Sequence, residues 1–253
     1  MPPLPPVIDD PAFYAVAVPA VLLMGLAKSG FGAGFGALAV PLMALAVPVP
    51  QAAAIMLPLL AVMDALGLAV FLREFDRSLI RLLLPAGLLG TVLGTLLFNL
   101  LSAKVVAGLV GAITLAFLAI RWFFPPRADA PPPPRWLGFV LGLTSGFTSF
   151  VAHAGGPPVA FYLLPLRLTP VQFTATAAVF FAAVNASKWI PYAWLGLIDL
   201  RNLATSLVLM PLAPVGVWLG VHVVRRISQR VFYALFSIGM LLTGVKLVWD
   251  ALA

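Results

Sequence analysis

Five polar side chains stand inside apolar stretches of this chain: Lys28, Asp64, His153, Asn185 and Lys188. A Lys or Asp at the centre of a membrane helix costs about 2.5–3.5 kcal/mol, so one kept at that depth faces a partner or a watery path. The chemistry open to such a set is solute binding and proton transfer. Lys28 and Lys188 can hold an anion, and Asn185 can donate to it. Asp64 can carry a proton or pair with Lys28, and His153 titrates near neutrality. Each residue also has a structural use. Either lysine can sit at a loop tip or snorkel outward, Asp64 and Asn185 can tie helices together, and backbone can satisfy the histidine. Covalent catalysis is a poor fit, because no nucleophile–base pair, no Gly-x-Ser-x-Gly and no phosphate-binding glycine loop occurs. With no cysteine, two distant histidines and eight dispersed acids, neither a metal centre nor a cofactor is expected.

Two glycine-rich breaks adjoin these residues. One runs Lys28-Ser29-Gly30-Phe31-Gly32-Ala33-Gly34-Phe35-Gly36, the other Ser149-Phe150-Val151-Ala152-His153-Ala154-Gly155-Gly156-Pro157-Pro158. In a bilayer, freed backbone groups must be satisfied by protein or by a watery cavity. Each glycine weakens a helix by about 1 kcal/mol, and the alternating series leaves N–H groups to face a ligand. Pro157 and Pro158 suit a first helical turn, so a half-helix starts there, with unpaired donors and a positive dipole end. The candidate solute-binding residues are therefore Lys28, Ser29, Gly30, Gly32, Gly34, Gly36, Ser149, Gly155, Gly156, Asn185 and Lys188. Asp64 and His153 are the candidates for proton coupling. The hydroxyls of Ser145, Thr148 and Ser149 can donate to a solute or to their own helix. Gly87, Gly90, Gly94, Gly108, Gly111, Gly216 and Gly220 read as close helix packing.

The elements that must position these residues are membrane segments. Of 253 residues, 62% are hydrophobic and 9% charged, and the mean hydropathy is +1.10, which marks an integral membrane protein in contact with lipid. Apolar runs fall at 11–27, 31–49, 51–72, 79–99, 104–122, 136–152, 157–168, 170–195, 203–223 and 229–249. The N-terminus lacks the basic region of a signal peptide, so the first run is expected to be retained. Residues 125–135, dense in proline, form a stiff linker between a first repeat, 1–124, and a second, 136–253. Motifs recur in order: Gly25-Leu26 with Gly142-Leu143, Pro50-Gln51 with Pro170-Val171-Gln172, Asp64 with Asn185, and Asp76 with Asp199. Pro85, Gly90 and Gly94 likewise recur as Pro211, Gly216 and Gly220.

With five segments per half, Arg73, Arg77, Arg81, Arg121, Arg127, Arg135, Arg167, Arg225, Arg226 and Arg230 share one side. Only Lys104, Arg201 and Lys246 lie opposite. The arginine-rich side is then cytoplasmic, and both termini lie outside. The net charge of +7 follows from this topology; dispersed basic residues argue against nucleic-acid binding. The expected fold is an all-α polytopic protein of the cell (inner) membrane: two inverted repeats of five segments, broken or re-entrant at the first two segments of each half. Such paired breaks point to a transporter's binding site at the midplane. Trp122, Trp136, Trp194 and Trp249 fall at segment ends, as in an interfacial belt.

At these residues the chain resembles the TauE/SafE family of sulfite exporter-type membrane transporters. The run Gly25 to Pro41 is similar to that family's first-half motif, and Gly142 to Pro158 to its second-half motif; Asn185 fits as well. Asp64 departs from the pattern if asparagine is expected in both halves. The resemblance implies secondary, proton-linked transport, commonly export, of small sulfur-containing anions such as sulfite, sulfoacetate or other organosulfonates. The residues themselves support a compact anionic solute held between the halves. Rival readings are an anion channel and a non-transporting membrane assembly factor. A homo-oligomer is left open.

Overall fold

A computed structural model describes residues 7–28, 36–98, 100, 102–123 and 132–252. Among these the chain is helical and holds no strand: α1 (Pro11–Leu26), α2 (Ala39–Met43), α3 (Val49–Phe71), α4 (Arg77–Leu97), α5 (Ala103–Phe123) and α6 (Arg135–Ala152) come first. Then follow α7 (Gly156–Leu163) with a 3-10 turn at Leu164–Leu166, α8 (Pro170–Trp194), α9 (Leu200–Leu209), α10 (Leu212–Arg226) and α11 (Gln229–Leu252). Helix starts are chemically marked. Asp76 caps α4 by accepting from Ser78 N–H at 2.7 Å and Leu79 N–H at 3.0 Å. Asp199 likewise caps α9 through Asn202 N–H at 2.7 Å. Thr169 and Gln172 cap α8 reciprocally.

Among the described residues, α3, α4 and α8 are each long and apolar enough to cross a membrane, and α9 with α10 makes a fourth span if that bent pair is one crossing. The expected run 203–223 is thus not one straight segment: it bends by 48° between Leu209 and Leu212, beside Pro211, which cannot continue a helix ladder. The run 157–168 is a helix of eight residues plus a turn, about 12 Å of helix, too short to cross. Of the run 31–49, residues 29–35 lie outside the described ones, and α2 is a single short piece.

Packing is by small-residue faces. On α4, Leu83, Ala86, Gly87, Gly90, Thr91 and Gly94 are buried, the spacing of one helix face, while Leu88, Leu89, Val92, Leu93 and Leu96 are exposed. That buried face meets α6: a Cβ on Gly90 would lie 2.0 Å from the Leu143 carbonyl oxygen, and one on Gly146 only 1.9 Å from that of Gly87. Where α1 meets α10, a Cβ on Gly25 would lie 2.9 Å from Gly216 backbone. The close-packing reading therefore holds for Gly87, Gly90, Gly94, Gly108, Gly111 and Gly216, each of which has a neighbour within 3.1 Å of a built Cβ. In addition, α3 packs on α8 and α5 on α11. The four tryptophans named above are all exposed.

Candidate functional site

The second break is built by its own helix. His153 ends α6 in the left-handed conformation, φ 50°, a region histidine tolerates better than most residues. The turn frees carbonyls, and hydroxyls one or two turns back on α6 take them up. Ser145 donates to Gly155 O at 2.5 Å and Thr148 to Ala154 O at 3.2 Å. Ser145 and Thr148 are thus occupied by the break itself. Gly155 fits because a Cβ there would meet the Ser145 carbonyl oxygen at 2.5 Å. Pro157 and Pro158 open α7 in its first turn. Having no N–H, they remove two of the usual four unpaired donors of a helix start, so the backbone there has fewer groups for a solute than the glycines alone suggest.

The five membrane-embedded polar residues form one continuous network. Lys28 Nζ lies 2.5 Å from Asp64 Oδ1, and Asn185 Nδ2 donates to Asp64 Oδ2 at 2.7 Å. Lys188 Nζ reaches Asn185 Oδ1 at 2.8 Å, Ser149 O and Oγ at 2.7 Å each, and His153 Nδ1 at 3.0 Å. His153 Nε2 lies 3.0 Å from the Ala53 carbonyl oxygen.

The flanking groups fix every orientation in this chain. A carboxylate only accepts, so the amide nitrogen of Asn185 faces Asp64 and its oxygen faces Lys188. A carbonyl only accepts, so His153 carries its proton on Nε2 and offers the Nδ1 lone pair to Lys188. Lys188, fully buried, therefore has an acceptor for every proton its nitrogen carries and does not snorkel outward. Lys28 is paired with Asp64, while the groups bonded to Lys188 are a carbonyl, a hydroxyl, an amide oxygen and a ring nitrogen, with no carboxylate among them. Lys28 also sits 5.4 Å from the Phe181 ring centroid, a cation–π contact.

This network borders a cavity of about 50 Å³ lined by Lys28, Gly36, Ser149, His153, Gly156, Thr174 and Asn185, with Met24, Ala27, Leu60, Ala177, Ala178 and Phe181 as its apolar wall. That is room for a solute the size of three or four waters. The buried apolar side chains form two clusters, and both reach the cavity: Met24 and Leu60 belong to one, Ala177 and Phe181 to the other. Ala27 and Lys28 end α1 in a π turn, a distortion common at functional sites. Of the expected site residues, Lys28, Gly36, Ser149, His153, Gly156 and Asn185 line the cavity. Asp64 and Lys188 stand behind it, bonded to lining residues, and Gly155 caps α7. Ser29, Gly30, Gly32 and Gly34 lie outside the described residues. Among the described residues no cluster of metal-ligating side chains occurs.

Sequence reasoning missed Thr174. It lines the cavity on the same stripe of α8 as Ala178, Phe181 and Asn185, at helical spacing. That periodicity was the available signal.

The family model described as sulfite exporter TauE/SafE matches residues 17–247. No curated protein and no solved structure matches this chain.

Proposed function

We propose a function from one premise: this chain belongs to the sulfite exporter TauE/SafE family. It is a multi-pass membrane transporter and not an enzyme. Our finer reading is a secondary transporter that exports small sulfur-containing anions, sulfite, sulfoacetate or related organosulfonates, in exchange with or alongside protons.

The observation that carries this reading is that two lysines share one carboxylate in the network beside the cavity. With both lysines protonated one buried charge would lack a counter-charge, which is costly; an anion in the cavity completes the balance. Lys28, Ser149, Asn185 and the Gly156 end of α7 would bind it. Asp64 is a built-in competitor for Lys28. Protonating Asp64 releases the ammonium to the solute, so anion binding and proton uptake favour one another. The neutral amide Asn185 passes any loss of charge at Asp64 on to Lys188 and His153.

Alternating access between inverted halves is supported by the packing: α1 lies on α10 as α4 lies on α6, while α3 and α8, and α5 and α11, pair with their own counterparts. Orientation in the cell membrane, with the arginine-rich loops cytoplasmic, follows from the charge bias.

Flux into proteoliposomes tests the reading. Sulfite or sulfoacetate should move with saturation and accumulate under an imposed pH gradient. Movement of a neutral solute or cation in place of these anions would overturn it. Non-saturating flux indifferent to the gradient would identify a channel instead.

A further inference from the structure

The Thr174 hydroxyl is the one buried side-chain oxygen or nitrogen without a hydrogen-bond partner among the described residues. Thr174 is 2% exposed and lines the cavity. A threonine inside a helix has an easy way out of this situation, donating to the carbonyl four residues back. Thr91, Thr95, Thr144, Thr148 and Thr205 all take it. Thr174 does not. An unsatisfied buried hydroxyl lowers stability, and a helix that could satisfy it locally yet leaves it facing a cavity presents a vacant bonding position to whatever enters.

Thr174 also stands away from Asn185. Eleven residues of α8 separate the two, about 16 Å along the axis, and Ala177, Ala178 and Phe181 line the cavity between. One small oxyanion cannot touch both of these residues. The Thr174 end is the arginine-rich end: Thr176 accepts from the Asp76 backbone N–H at 3.0 Å, and Asp76 lies between Arg73 of the preceding loop and Arg77, the first residue of α4.

Resting on the function proposed above, we infer that Thr174 forms a second solute subsite at the arginine-rich end of the cavity. There its hydroxyl donates to an oxygen of the anion before the anion reaches Lys28. The alanines at 53 and 54, which stand in the equivalent stretch of the first half, carry no hydroxyl, so this station belongs to one half only.

The test compares Thr174→Val and Thr174→Ser with wild type in two measurements: unfolding temperature without solute, and kcat/KM for sulfite and sulfoacetate in proteoliposomes. Valine keeps the shape and removes the unpaired oxygen. Its unfolding temperature should equal or exceed that of wild type, while kcat/KM falls about tenfold, the worth of one hydrogen bond to a charged group. Serine should stay within about threefold of wild type. A valine variant with wild-type kcat/KM, or one that unfolds at lower temperature, overturns the inference; if valine does not insert, Thr174→Ala is read by the same criteria. A wild-type protein that moves neither anion removes the proposed function, and this inference with it.

Discussion

Asp64 on α3 and Asn185 on α8 meet side chain to side chain: the amide donates to the carboxylate at 2.7 Å. Neither is free to act alone. Asp64 also holds Lys28, and Asn185 also holds Lys188, so both lysines hang on one shared chain of bonds. Replacing one residue of the pair changes what both lysines experience.

The first consequence concerns protons. If Asp64 competes with the solute for Lys28 and takes up the coupled proton, anion affinity in the wild type should strengthen as pH falls, by up to about tenfold per pH unit for one linked proton. Asp64→Asn keeps the shape and most hydrogen bonds but cannot take up a proton. It should bind sulfite tightly at every pH and lose accumulation against a gradient. Binding titrations at several pH values check the first point and gradient-driven flux the second. Full uphill transport by Asp64→Asn would remove Asp64 from coupling.

The two lysines should respond differently to truncation. Lys28 has one ion-pair partner, and its side chain is 11% exposed at the cavity. Lys28→Ala should cost chiefly anion affinity, tenfold or more by loss of one charge-assisted contact worth about 1.5–3 kcal/mol, with a modest stability change. Lys188 is fully buried with four bonded atoms around it. Lys188→Met strands Asn185 Oδ1, His153 Nδ1 and the Ser149 carbonyl together, and should cost roughly 3–5 kcal/mol of stability. Thermal unfolding in detergent separates the two; equal losses would mean that Lys28 is as structural as Lys188.

The sequence made some of this legible and not the rest, for physical reasons. Asp64 and Asn185 stand out in the sequence because each is a lone polar residue deep in a long apolar run. Half-helix α7 is legible because Gly155, Gly156, Pro157 and Pro158 constrain the backbone locally. The contact of Lys188 with His153 joins residues 35 apart on different helices, and no local rule fixes which face of α8 meets the end of α6. Thr174 was invisible for a subtler reason. A threonine in a helix ordinarily satisfies itself, so only its actual bonding shows that this one does not.

Helix packing gives a prediction independent of transport. Gly90→Ala places a methyl 2.0 Å from a backbone oxygen of α6, which cannot move aside as a flexible side chain would. Gly67→Ala, in α3, has nothing within 4 Å of the new Cβ. The first should abolish folded protein in detergent. The second should be neutral or stabilising by about 0.5–1 kcal/mol, the usual gain of alanine over glycine in a helix. Folded yields by size-exclusion chromatography decide it, and a well-folded Gly90→Ala would require α4 and α6 to be further apart than they stand here.

Sidedness can be read with unusual cleanliness, because the natural chain has no cysteine. Ser78 is exposed in the first turn of α4 beside Arg77, and Ser102 is exposed just before α5 near Lys104. The α4 helix between them is 21 apolar-rich residues, about 31 Å at 1.5 Å per residue, enough to span the hydrocarbon core. On the topology proposed above, the two serines lie on opposite sides of the membrane and Ser78 faces the cytoplasm. In intact cells a membrane-impermeant maleimide should label Ser102→Cys at once and Ser78→Cys only after permeabilisation. The reverse order would invert the whole protein, place the Thr174 end of the cavity outside, and turn the proposed direction of anion capture around with it.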